Sequence, residues 1–470
     1  MSDEQKIART PAAPMSHRVL YLVAAVAQGG GPLLTQPFVQ RLLDPVQWGL
    51  VSFSISTISI GLIVFLAGLP LIITRTYFEP KTGRTYALSL AGFGIIFSTS
   101  LGALIALVLW IVSAAKGSTE EMLSLIFACL SVGMLGGIQM CLAVLRAQQR
   151  AIAFVALTIG AQTLGHVAGL FAVIFVARNA SAYLIAFTVV IAITLCASMI
   201  LTRPRSPFSI PGVIVQRVKA ALPLLPHSIA LVCMLQGEAF VLTSMHGPAF
   251  WGTYGAMLPL ALGPVAMLLA LANVWEPAIL AARGTDPDGK IGRIQREALA
   301  IGALLAIMAS VSAVFLANIL AHDPSHLQTQ AARILPLTTI GYAVFLLATT
   351  QLVATGRTAL MAMVTPIVMV ASVAGTIAAS TAGSIFLVAI AKVSGFVVLG
   401  IVYTMIARKQ DKSLVLPREV AIALLGSVLC VTLMLLVPTS FWLGAFMFAG
   451  LFLLTLIGGS WLLLRKKKTA

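Results

Sequence analysis

The chain is a succession of apolar runs, each about 20 residues or longer, separated by short polar corners, and that pattern leaves few folds open to it. A run of this length spans the hydrocarbon of a bilayer when helical. Backbone N–H and C=O groups in hydrocarbon must be satisfied within the spanning structure, so the runs are expected as helices. About fourteen are present, at 18–38, 48–73, 86–113, 121–144, 151–177, 182–202, 219–244, 250–274, 297–320, 332–355, 358–379, 383–407, 418–437 and 442–464. Composition agrees: 59% hydrophobic, 9% charged and a mean hydropathy of +1.02 lie outside the range of soluble domains. The expected fold class is all-α, a polytopic membrane protein with about 14 transmembrane helices.

The net charge of +16 would suit a nucleic-acid binder if it were gathered on one surface. Instead the basic residues sit in alternate corners. Only Arg41, Lys116, Arg178 and Arg333 fall on the other side, and Lys392 alone lies within a run. By the positive-inside rule the basic corners and both termini are cytoplasmic, and no nucleic-acid partner is expected. The six tryptophans fall at run ends, Trp48, Trp110, Trp251 and Trp442 outside, Trp275 and Trp461 inside, as an aromatic belt would place them. No removable signal peptide is expected, because the polar start leads into a long apolar run without a small-residue cleavage site. The five cysteines lie in apolar runs without metal-like spacing, so they predict packing residues, and no cofactor or metal site is expected. His322, Asp323 and His326 share an outer corner but lack further ligands.

The chain repeats itself weakly. "QPFVQRLLDPVQWGLVSF" at the first outer corner matches "EAFVLTSMHGPAFWGTYGA" at the seventh run, pairing Pro45-x-x-Trp48-Gly49 with Pro248-x-x-Trp251-Gly252. Arg150 in "LRAQQRA" stands near the register of Arg357 in "VATGRTA". Duplicated units in one orientation are a transporter architecture, with the substrate path where the repeats meet. The expected division is an N-terminal lobe over 1–215 (helices 1–6), a C-terminal lobe over 216–410 (helices 7–12), and a helix pair with a basic tail over 411–470. In this alignment Glu238 takes the slot of Gln36, so both are expected to face a shared polar cavity.

Several of these residues resemble one family. "LLDPVQWGLVSFSISTISIGLIVFLAGLPLIITRTYFE", "LAVLRAQQR" and "ALPLLPHSIALVCMLQGEAFVLTS…GTYGAML…ANVWEPAIL" are similar to the polysaccharide-export, Wzx-type flippases of the multidrug/oligosaccharidyl-lipid/polysaccharide exporter superfamily. The resemblance covers roughly 18 to 410. It implies two six-helix lobes around a V-shaped cavity and a non-enzymatic passage of polyprenyl-pyrophosphate-linked oligosaccharide from the cytoplasmic to the periplasmic leaflet of a bacterial inner membrane. The lipid bilayer and a polysaccharide polymerase complex would be further partners. Where that family's seventh helix commonly has an Asp-Arg pair, this chain has Glu238-Ala239.

The residues suggest how such a passage would work. Arg75, Arg146, Arg150 and Arg357 stand at basic corners, and arginine suits bidentate phosphate contact, with interfacial anchoring as the alternative use. Pro223 and Pro226 in "LPLLPH" predict a bend and a candidate hinge near the cytoplasmic end of the seventh helix. His227 and Glu238 share a helix stripe, three turns apart, suited to a proton relay or a cation. A structural ion pair of Glu238 with Lys392 is the competing reading. His166, in "GHVAG", is expected at a close helix contact beside Gly165 and Gly169. No P-loop is present, so ATP use by this chain is not expected. Two rivals stay open: a multidrug cation antiporter of the same fold, and a non-transporting scaffold of polysaccharide assembly.

Overall fold

The computed structural model describes residues 31–450, apart from 33, 67, 118, 210, 283–289, 322, 356, 411–416 and 437–440. Every regular element among the described residues is helical. The first bundle holds α1 (34–42), α2 (Pro45–Leu66), α3 (Leu69–Tyr77), α4 (Gly83–Lys116), α5 (Thr119–Ala147), α6 (Ala151–Ile159), α7 (Gly165–Phe175) and α8 (Ala180–Thr202). A connector, α9 (Pro211–Ala221), leads to the second bundle. That bundle holds α10 (Leu225–Gln236), α11 (Glu238–His246), α12 (Pro248–Gly255), α13 (Pro259–Ala282), α14 (Lys290–Val311), α15 (Ala313–Leu320), α16 (His326–Ile334), α17 (Thr338–Ala354), α18 (Thr358–Thr381) and α19 (Ile385–Gln410). Finally α20 (Pro417–Leu436) packs on α14 and α16.

Nine helices among the described residues are long and apolar enough to span a bilayer, and two further bent pairs raise the number to eleven. These eleven coincide with the second to twelfth sequence runs. The first, thirteenth and fourteenth extend outside the described residues, which therefore do not reach a total of fourteen.

Each bundle has its own apolar core. One joins Val39, Trp48, Ile138, Tyr183 and Phe187; another joins Leu268, Tyr342, Phe345, Phe396 and Tyr403. The central helix of each is the fourth of its six. The apolar stretch of Met122–Ala147 is 72% buried and that of His326–Val353 is 94% buried, whereas Gly83–Lys116 is 22% buried and faces outward. A helix apolar on all sides serves equally in a core or against lipid, and position alone separates the two. The repeat also survives in a corner: the N–H of Arg150 bonds the carbonyl of Leu145, and that of Arg357 bonds the carbonyl of Leu352, each at 3.0 Å.

The connector belongs to the first bundle, since Ile214 enters its core beside Leu69, Ile73 and Leu90. A boundary at 215 thus falls inside α9. Arg217 of α9 pairs with Glu79 at 2.6 Å, both about one-third exposed. Exposed pairs contribute little, so Arg217→Ala is expected to cost no more than about 1 kcal/mol. The check is its thermal unfolding in detergent; a large drop in the midpoint would mean the pair anchors the connector.

Candidate functional site

A cavity of about 300 Å³ lies between the two bundles. Helix α2 supplies one wall through Trp48, Ser52, Ile55, Ser56, Ser59 and Leu62, which recur at helical spacing and so share a face. Gln162 and His166 join from the first bundle. Gln162 sits in a π-helical turn, Gly160–Leu164, that interrupts the helix between α6 and α7. Such turns carry one extra residue per turn and re-aim side chains, often at functional sites. His166 Nδ1 is 2.6 Å from the Tyr183 hydroxyl. From the second bundle come Gln236, the last residue of α10, and the corner around Pro259 between α12 and α13. Gln36 lines the same cavity.

The duplicated motif closes one end. A Cβ on Gly49 would overlap the carbonyl of Pro248, and a Cβ on Gly252 would overlap the carbonyl of Pro45 and the backbone of Gly49. This is the reciprocity of a two-fold contact, in which each partner meets its own counterpart. The contact lies at the arginine-poor end, where Arg41 Nη2 also donates to the Asn318 carbonyl at 2.6 Å, and Phe53 meets Phe240 with ring centroids 5.0 Å apart. Beyond it a second hollow of about 340 Å³ is lined by Gln40, Arg41, Thr253 and Gln328. Trp48 lines both hollows and therefore stands in the partition.

Two of the expected belt tryptophans are thereby corrected. Trp48 is 4% exposed and Trp251 is fully buried, because each packs into the apolar cluster of its own bundle at the end where α2 and α12 meet. Trp110 and Trp442 are exposed, as lipid-facing rings would be; Trp461 lies outside the described residues.

Glu238 does not share the cavity with Gln36. It lies inside the second bundle, where Lys392 Nζ donates to its two carboxylate oxygens at 3.0 and 2.9 Å and to the carbonyls of Met234 and Leu235 at 3.3 and 2.8 Å. The Tyr254 hydroxyl donates to the same carboxylate at 3.4 Å. The cause is a 50° bend between α10 and α11, which turns Glu238 away from the cavity and leaves Gln236 facing it. The expected proline hinge lies at a separate break, the 3₁₀ turn Leu222–Leu224 between α9 and α10. Pro223 is in a short 3₁₀ turn and Pro226 in the first turn of α10, where a missing N–H costs no helix bond.

His227 and Glu238 do not contact each other; each has its own partners. His227 Nδ1 lies 2.7 Å from Thr365 Oγ1 and 3.4 Å from Tyr403 Oη, and Thr365 and Tyr403 hydrogen-bond to each other. Met234, between His227 and Glu238 in the chain, is buried in the bundle core. Nor do the four arginines line the cavity. Arg150 Nη1 donates to the Leu201 carbonyl at 2.9 Å and caps α8. The Arg146 guanidinium lies 5.2 Å from the centre of the Phe154 ring. Arg75 and Arg357 are exposed, with no side-chain partner among the described residues.

The sequence matches the family model described as "Polysaccharide biosynthesis protein" over residues 18–282, more than half of the chain. The chain belongs to that family. No curated protein sequence matches it. Its fold is that of several solved transporters. An inward-facing multidrug resistance MATE family transporter of the MOP superfamily aligns with TM-score 0.64 and 14% identity, over 84% of this chain and 95% of the other. The lipid II flippase MurJ, in an inward closed conformation, aligns with TM-score 0.62 and 11% identity, over 95% and 99%. A point mutant of the Vibrio cholerae MATE transporter VcmN gives 0.59 and 18%, over 85% and 96%. This polysaccharide biosynthesis protein is therefore a multi-pass membrane protein with a transporter fold.

Several cavity residues of this family member are not singled out by the sequence alone. Ser52, Ser56 and Ser59 carry a readable signal, hydroxyls at i, i+4 and i+7 of an otherwise apolar run. His166, expected at a helix contact, makes that contact, with Gly169 beneath the Tyr183 ring, and lines the cavity as well. Gln162 has no signal, since a π turn leaves none in a single sequence. Among the described residues no group of three metal-ligating side chains occurs; His322 lies outside them.

Proposed function

We propose that this protein flips a polyprenyl-pyrophosphate-linked oligosaccharide, an O-antigen or exopolysaccharide repeat unit, across a bacterial inner membrane by alternating access. Passage runs from the cytoplasmic to the periplasmic leaflet, and both termini are cytoplasmic. The observation that carries this reading is the cavity between two like bundles, largely apolar with a few glutamine and serine side chains and His166, and shut at the arginine-poor end by the duplicated Gly49–Gly252 contact. A charged headgroup cannot cross hydrocarbon unaided, because desolvation costs roughly several kcal/mol per ion even after relaxation. Rocking of two repeats about a central site removes that barrier while the lipid tail stays in the bilayer. Exposed Arg75 and Arg357 suit capture of the pyrophosphate at the basic end. With the inside negative, expelling an anion is downhill by about 2.3 kcal/mol per charge per 100 mV.

A cation antiporter of the same fold is disfavoured by the same cavity. None of its described lining residues is a carboxylate, and Glu238 is bound by Lys392 elsewhere. The deciding experiment deletes the gene and follows lipid-linked repeat units in each leaflet. Accumulation in the cytoplasmic leaflet, reversed by the wild-type gene, is expected. Unchanged polysaccharide export in the deletion would remove the assignment.

A further inference from the structure

We infer that the closed end of the cavity holds an uncharged sugar of the lipid-linked headgroup and leaves the pyrophosphate outside, toward the basic end. This rests on the flippase reading above and specifies what its central site recognises.

The lining decides the chemistry. Among the described residues no Asp, Glu, Lys or Arg borders the cavity. The buried charges Glu238 and Lys392 neutralise each other inside the second bundle. A pyrophosphate placed here would lose its water and gain no counter-charge, the most costly kind of burial.

The polar side chains that do border the cavity are three glutamines, Ser52, Ser56, Ser59, the Trp48 indole and the imidazole of His166, which hydrogen-bonds with Tyr183. Gln36, Gln162 and Gln236 are half-buried, and none of their carboxamides hydrogen-bonds to another described residue. Each carries both donors and acceptors, the complement of a sugar hydroxyl, which is likewise donor and acceptor. The Trp48 indole N–H is buried in the partition without a partner among the described residues. A buried donor without a partner is uncommon in a folded chain and calls for a ligand or a water. The three glutamines come from α1, the π turn and α10, so they converge from both bundles. A sugar seated among them would bridge the lobes, whereas a phosphate would meet no Lys or Arg among the described residues.

The test inserts charge and removes hydrogen bonds at one position. In the gene deletion, full-length variants are scored for export of repeat units, with tagged protein checked for membrane level and a monodisperse elution profile. Gln36→Met and Gln162→Met are each expected to lower export about tenfold, the size of one buried polar partner lost. Gln162→Arg and Gln162→Glu are both expected to be at least as defective, because either sign of charge displaces a neutral sugar. Gln162→Asn serves as a milder variant if a methionine form is not monodisperse; it too is expected below wild type. If Gln162→Arg exports as well as wild type while Gln162→Glu is inactive, the site holds an anion and the inference is overturned. Wild-type export by every glutamine variant would overturn it as well, by showing that the cavity makes no headgroup contact. Both outcomes leave the flippase reading standing, since that reading fails only if the deletion itself leaves export intact.

Discussion

Replacing Lys392 by methionine is expected to lower the stability of the second bundle by about 3–5 kcal/mol, the usual cost of leaving one member of a buried ion pair unpaired. The side chain is 1% exposed, and its ammonium serves two ends at once. It neutralises Glu238, and it donates to the Met234 and Leu235 carbonyls, which the break between α10 and α11 leaves without helical partners. Glu238→Gln is expected to be milder, because an amide oxygen still accepts from the ammonium and both carbonyls stay bonded. Lys392→Met combined with Glu238→Met is expected to recover part of the loss, since apolar replacement of a whole buried pair is often close to neutral. The measurement is a double-mutant cycle on thermal unfolding midpoints of the detergent-solubilised full chain, with a coupling free energy as its result. Additive single effects would show that the pair does not hold the bend. An export defect in Glu238→Gln at an unchanged midpoint would assign the acid to transport instead.

The same bend marks the limit of what the sequence discloses. Run length and backbone satisfaction specify helices at eleven of the expected spans, and those are found. The Pro-x-x-Trp-Gly duplication is legible as a repeat. That its two copies touch is not, because they meet only once both bundles are folded and facing. Hence Trp48 and Trp251 read as interfacial rings, a rule that sees only their position at a helix end. The alignment of Gln36 with Glu238 assumes a straight helix. One glycine, Gly237, whose added Cβ would strike the Cys233 carbonyl, breaks that assumption and moves the lining position back to Gln236. Prolines advertise breaks in a sequence, and Pro223 does sit in the 3₁₀ break before α10, but the 50° bend beside Glu238 carries no proline.

Enlarging Gly252 to leucine is expected to prevent closure at the arginine-poor end and to abolish transport. The backbones of α2 and α12 approach so closely that even a methyl has no room, and overpacking a tight contact costs about 1–3 kcal/mol. Within a core that energy would be absorbed by shifted side chains. Here the two surfaces belong to separate bundles, each with its own apolar core, so the cheaper response is to part them. Gly49→Leu should act alike, since the contact is reciprocal, and the pair of substitutions should do little more than either one. Arg41 and Asn318 report on the separation, being hydrogen-bonded across the same end. With cysteines at both positions, and a protease site between the bundles, a flexible bifunctional thiol reagent should join the halves efficiently in the otherwise wild-type chain and poorly in Gly252→Leu. Equal cross-linking in both would mean that the bundles stay together and α12 deforms. The Gly49–Gly252 contact would then be packing within one rigid body, and closure of the cavity would have to be sought at another surface.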